Sequence, residues 1–204
     1  MEHQVATYRV FQQRLIELQQ AAVNWGLHHQ PEFRRAARKL GMLAEDSTLL
    51  FDDESEMSIL MDGFIYEEHI QQRPVVAAFL SGYACQDEID RLVANAMLKA
   101  KFGLYRIEAI ARERSEIGIK ALITEVTDAT LINVGLAQSA KPGVILALRV
   151  LRLPEFSMAS GVFFPFAAGK EQRLMREWRK KQGLERYAHL FRLSRKEGIQ
   201  TAFA

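Results

Sequence analysis

The apolar residues of this chain change their spacing at two points along its 204 residues. Up to Lys101 they recur at steps of three and four. From Gly103 to about residue 166 they alternate with polar residues, and from Ala168 the longer step returns. A period of about 3.6 buries one stripe of a helix, while a period of about 2 buries one face of a strand, so a pattern that suits one cannot suit the other. The chain therefore reads as α+β. The expected parts are a helical N-terminal half over 1–102, a small antiparallel β meander or barrel over 103–167 and a basic helical C-terminus over 168–204, three parts that can form one compact unit.

In the first helix Tyr8, Phe11, Leu15, Leu18, Ala22 and Trp25 form one stripe. Gly26 and the following Leu27-His28-His29 break it. Pro31 suits the opening turn of a second helix, whose apolar face of Phe33, Ala37 and Leu40 runs up to Gly41. Asp53 and Glu56 have the spacing of a capping box ahead of a third helix, with Met57, Leu60, Met61, Phe64 and Ile65 on its buried face. Pro74 opens a short fourth helix that ends at Gly82. A fifth runs from about Asp87 to Lys101 on Ile89, Leu92, Val93, Ala96, Met97 and Ala100, with Gly103 as its stop.

Beyond Gly103, Tyr105, Ile107, Ala109 and Ala111 alternate with Arg106, Glu108 and Arg112. The runs GIKALITEV, ATLINVGLA, VILALRVLRL and SMASGVFFPF follow, separated by turn signals such as Lys141-Pro142-Gly143. Connections this short favour antiparallel pairing, because a parallel crossover needs about a dozen residues. Strands of this kind can curl into a small barrel. The segment from GLYRIEAIA through PGVILALRVLRLP to MASGVFFPF resembles the β region of uncharacterised bacterial proteins, in part of which a short cysteine-rich SEC-C metal motif follows. The C-terminus here has no cysteine, so the motif itself is absent. The resemblance implies a bacterial cytoplasmic protein and supplies no catalytic residue.

Several function classes are disfavoured. No apolar run approaches the ~18 residues that span a bilayer, and the N-terminus lacks the cationic-then-apolar layout of a secretory signal. Cys85 is the only cysteine, which leaves no internal disulfide and fits a reducing, cytoplasmic setting. There is no GxSxG elbow, no GxxxxGK[ST] and no GxGxxG. Cys85 itself reads as a small residue at a helix start, with Asp87 and Glu88 opposing a thiolate. His28 and His29 are adjacent, so their side chains diverge. Glu67, Glu68 and His69 lie together, but Tyr66 stands where a Glu-x-x-His ligand pair needs its Glu. No metal and no cofactor is expected.

The charge is unevenly spread. No basic residue lies between Lys39 and Arg73, whereas residues 169–204 hold ten Lys/Arg against four Asp/Glu. On a C-terminal helix Arg173, Arg176 and Lys180 share a face that Arg179 and Lys181 extend, with Arg186 following. The nearby aromatics fall on apolar stripes, so they are poorly placed to stack on bases, but the cations remain able to meet phosphates. The plainer reading is a solubilising face, neutralised by the acidic 45–68 region. The sequence thus suggests a non-enzymatic binding or regulatory protein, able to form a homo-oligomer. Nucleic acid or an acidic protein would meet its C-terminal helices, and no membrane is involved. The alternative is an enzyme of unfamiliar type with Asp62, Glu68 and His69 as acid–base residues between the helical and β parts.

Overall fold

The structure, a computed structural model, describes residues 2–199. The helical half comprises α1 (Glu2–Gly26), α2 (Gln30–Leu40), α3 (Ser55–Glu67), a minimal hairpin of β1 (His69–Ile70) and β2 (Arg73–Pro74), α4 (Val75–Leu80) and α5 (Glu88–Lys99). The β unit comprises β3 (Lys101–Ala111), β4 (Glu116–Ala121), β5 (Ala129–Ile132), α6 (Val134–Ser139), β6 (Ile145–Arg152) and β7 (Ser157–Phe166). The chain then forms α7 (Glu171–Arg179) and α8 (Gly183–Glu197). The α+β architecture expected from the spacing is the one present.

The five longer strands close into a barrel in the order β3-β4-β5-β7-β6, with β6 pairing back onto β3. Its ladders are antiparallel except at the seam between β5 and β7, which rests on the single parallel pair Leu131 and Ser157. A plain meander would place β6 beside β5. Instead α6 carries the chain across the barrel end, and its Leu136 and Ala137 join Tyr105, Ile107, Ile117 and Leu148 in the lumen.

Three local expectations change. Helix α5 stops at Lys99, because Ala100 already has extended backbone (ψ 131°). Gly103 therefore lies inside β3, where a Cβ would come within 2.9 Å of the Tyr105 ring and of Val126. The run ATLINVGLA divides at Asn133, whose side chain accepts the Leu136 N–H at 2.8 Å and caps α6. The capping box is displaced: Asp53 accepts the Ser55 N–H at 2.8 Å, and Glu56 accepts the N–H of Asp52 at 2.9 Å. The β1–β2 hairpin turns on Gln71 and Gln72, both left-handed at φ 50° and 65°, without the Asn or Gly that marks such turns in a sequence.

Helix α3 is buried on nearly every side, packed by α1, α2, α8 and β7. Gly26 at the end of α1 permits this, since a Cβ there would lie 2.6 Å from the Phe64 ring. The larger core includes Leu18, Leu60, Phe64, Ala147, Phe164 and Tyr187, so it draws on all three parts of the chain. Phe64→Ala is therefore expected to cost about 3–5 kcal/mol in urea unfolding, as a large cavity in a packed core does. Ile16→Ala, at a site 53% exposed, is expected to stay within about 0.5 kcal/mol. Equal effects would contradict the central placement of α3.

Candidate functional site

Strand β6 sends Leu146, Leu148 and Val150 into the lumen, and Ile145, Ala147 and Leu151 toward the helices. Arg149 falls on that second, otherwise apolar face, and its side chain is only 3% exposed. The ladder is irregular here. Leu148 pairs with Phe163 and Val150 with Ala159, so Arg149 alone stands against Ser160, Gly161 and Val162. A bulge of this kind bends a strand and re-aims its side chains. Gly161 has φ 107°, a conformation that residues with a Cβ rarely adopt.

Arg149 reaches α3. Its Nη2 donates to Glu67 Oε1 at 2.6 Å and lies 3.6 Å from Asp62 Oδ2, and its guanidinium stacks 4.2 Å above the Tyr66 ring. Burial opposes the charge on Arg149, but Asp62 and Glu67 outweigh it and hold the guanidinium pKa above its ordinary value. For Asp62 the balance is reversed: burial pushes its carboxyl up, and Arg149, with the nearby Ser160 and Tyr187 hydroxyls, only partly offsets this. Asp62 Oδ1, the Tyr66 hydroxyl, Arg149 Nε and Ser160 Oγ are all buried without a hydrogen-bond partner among the described residues. The Tyr187 hydroxyl beside them is committed to the Ile59 carbonyl at 3.1 Å.

Asp90 shows what a satisfied buried carboxylate looks like in the same protein. It accepts from Arg14 at 3.0 Å, the Tyr83 hydroxyl at 3.0 Å and the Gln86 N–H at 2.8 Å. Burial alone would raise its pKa, but these donors carry it below the usual range. An unsatisfied buried group costs about 1–3 kcal/mol, so orphans gathered at one bulge are a feature to be explained.

Adjoining clefts flank the bulge, and Ser58, Gly161 and Val162 line both. The larger, about 630 Å³, extends past Tyr8 and Phe163 toward α6 and α8. The smaller, about 350 Å³, lies between α1, α3 and β7. Asp62 and Ser160 line it beneath Ile16, Gln19 and Met61. Gln19 Nε2 also donates to the Ser160 carbonyl at 3.1 Å, tying α1 to the bulge.

The acid–base residues expected from sequence are dispersed over separate partners. Asp62 belongs to the bulge cluster. Glu68 is forked by Arg35 at 2.9 and 2.7 Å and fixes α2 to the hairpin. Burial works against its charge, but Arg35 and the His69 N–H hold it below the usual carboxylate range. His69 is exposed. Cys85 is exposed ahead of α5, and the His29 ring sits 5.2 Å from that of Trp25. Among the described residues no three His, Cys, Asp or Glu side chains are grouped to hold a metal ion.

The C-terminal cations are partly neutralised. Arg195 pairs with Asp52 and with Glu56, the latter at 2.8 Å, so α8 does meet the acidic segment. Arg173 pairs with Glu197 at 2.5 Å, and Lys180 with Glu177 at 2.6 Å. Arg186 stacks 4.1 Å over Trp178, whose indole N–H bonds Glu125 at 3.1 Å. Arg176, Arg179 and Lys181 are exposed, with no acidic side chain paired to them among the described residues. No described helix is long and apolar enough to cross a membrane.

Residues 2–204 match a protein family described as "Family of unknown function (DUF7986)". The chain belongs to that family. No curated protein and no solved structure matched it. The family match brings nothing of a SEC-C motif, so the resemblance to SEC-C-associated proteins is not confirmed.

Sequence reasoning missed Arg149, Ser160 and Gly161. Arg149 carried a readable signal, as the one charge on the face shared by Ile145, Ala147 and Leu151. The bulge carried none, because it depends on the register of two strands.

Asp62→Asn is expected to be at least as stable as the parent at about pH 7, because it removes an under-satisfied buried charge. A carboxyl held above its ordinary value takes up protons more readily folded than unfolded. Parent stability therefore falls as pH rises from 3.8 through the raised value, and the advantage of the variant vanishes below that range. Urea melts across pH would show this. A neutral-pH loss of about 3–5 kcal/mol would instead make Asp62 a structural partner of Arg149.

Proposed function

We propose that this is a non-enzymatic ligand-binding protein whose small ligand occupies the clefts beside Gly161 and reaches Asp62 and Ser160. The observation that carries this reading is the bulge itself, which brings orphaned buried polar groups to a concave, largely apolar surface. Both cleft volumes fall within the ~300–1,000 Å³ typical of small-molecule sites. Binding is favoured over acid–base catalysis because the groups nearest Asp62 are not free to move a proton. Glu67 is held by Arg149, the Tyr187 hydroxyl donates its proton to a carbonyl, Glu68 is taken by Arg35 and His69 is exposed. The exposed free thiol of Cys85 supports a reducing, cytoplasmic setting.

A fragment screen followed by protein NMR tests the reading. Binders are expected to shift the amides of Ser58, Gly161 and Val162. Ser58→Trp, which adds bulk at an exposed position shared by both clefts, is expected to abolish those shifts without unfolding the protein. Binders that cluster elsewhere, or that ignore the tryptophan, would sink the assignment.

A second reading is favoured by one observation, the unpaired cations Arg176, Arg179 and Lys181. They form a small surface suited to nucleic-acid phosphates, with an acidic protein as the competing partner. Three phosphate contacts predict a log–log salt slope of about −3 for nucleic-acid binding. Reversing the charge of the three residues is expected to abolish retention on a nucleic-acid column. Retention unchanged by that reversal would end this reading.

A further inference from the structure

We infer that the smaller cleft takes a ligand bearing a protonated amine, with the ammonium seated against Asp62 and Ser160 and an apolar body lying between α1 and α3. The inference rests on the ligand-binding reading above and adds the ligand's chemical class.

Arg149 is the cation that acts on Asp62, and it is shared with Glu67, on which Arg186 also acts. Glu67 takes the guanidinium at 2.6 Å, while Asp62 is left at 3.6 Å. Asp62 is 4% exposed, and its Oδ1 closes no full hydrogen bond among the described residues, although the Ser160 and Tyr187 hydroxyls lie near enough to lower the carboxyl pKa. A buried carboxylate in this position is relieved by a proton or by a cation that also donates hydrogen bonds. Burial already pushes Asp62 toward the protonated form, so a cationic donor competes with a proton for the same oxygen.

The remaining groups narrow the choice. Ser160 Oγ lines the same cleft next to Asp62, whose carboxyl pKa its hydroxyl helps to lower, and it closes no full hydrogen bond among the described residues; Ser160 is 5% exposed. An ammonium carries three donors and no acceptor, so it can serve both oxygens at once. A carboxylate or phosphate ligand would face Asp62 with like charge. Arg149 does not line the cleft, and its Nη2 is engaged by Glu67, so it offers an anion no direct seat. A neutral alcohol could donate to Asp62 but would leave its charge uncompensated. Ile16, Val23, Met61, Ile65 and Val162 wall the cleft and suit an aliphatic or aromatic body on the amine.

The test uses the full chain and three probes of equal length: hexylamine, hexanol and hexanoate, titrated by NMR at about pH 7. Hexylamine is expected to bind about tenfold or more tighter than hexanol, the factor of one charge-assisted hydrogen bond, with shifts centred on Ser160 to Val162. Hexanoate is expected not to bind. Asp62→Asn is expected to bring the amine down to the level of the alcohol and leave the alcohol unchanged. Ser160→Ala, the milder change, is expected to weaken the amine severalfold. Affinity for the amine is expected to fall as the solution is acidified and Asp62 takes a proton. Hexylamine binding no tighter than hexanol, or binding indifferent to both substitutions, would overturn the ammonium inference while leaving the ligand cleft intact. Preference for hexanoate would do the same. Failure of every probe to shift the cleft residues would bring down the ligand-binding reading as well.

Discussion

Arg149 joins the helical half of this protein to the barrel through a buried charge, in a contact that is otherwise largely apolar. It leaves the barrel wall among Ile145, Ala147 and Leu151 and ends between two carboxylates of α3. A guanidinium in such a place is tolerable only with partners, and a lone buried carboxylate on α3 would be equally costly. Arg149 and Glu67, joined at 2.6 Å, therefore require each other. Because the pair spans β6 and α3, it ties the barrel to the central helix close to the smaller cleft. Tyr66 contributes from beneath, its ring offering a face to the cation.

The bulge in β7 is the other half of the arrangement. Without it, strict alternation would leave Ser160 and Val162 in register with β6. Two extra residues free the strand locally, and Gly161 absorbs the resulting backbone conformation. The same strand then resumes regular pairing, so that Phe164 and Phe166 enter the core beneath α8. Strand β7 is thus barrel wall on one side and cleft wall on the other. Tyr187 shows how tightly the opposite side is set: Gly63 is needed because a Cβ there would approach the Tyr187 ring to 2.9 Å.

Much of this architecture can be read from residue spacing. The stripe from Tyr8 to Trp25, the Pro31 start and the left-handed Gly41 stop of α2 depend on neighbours in sequence, and the structure has them where the pattern puts them. The alternation after Gly103 likewise marks the β region, although Gly103 serves the close approach of Tyr105 and not a helix end. What spacing could not convey was anything set by partners distant in sequence. Asp62 is legible as a polar residue on a helix, but its isolation depends on Arg149, which lies far along the chain. The C-terminal cations look uniform in sequence. In the fold Arg195 is clipped to Asp52 and Glu56, whereas Arg179 stands free of any acidic partner among the described residues. The bulge was invisible for the same reason, since register belongs to a pair of strands.

The larger core gathers side chains from Tyr8 through to Phe191 around α3. During synthesis, α3 emerges from the ribosome long before β7 and α8, which must cover two of its sides. Its flank at Ile59 and Gly63, which Tyr187 and Leu184 cover in the fold, therefore waits wet until α8 is released. A nascent chain of this kind gains little from folding piecemeal and depends on late, long-range contacts, the regime in which chaperones have most to do.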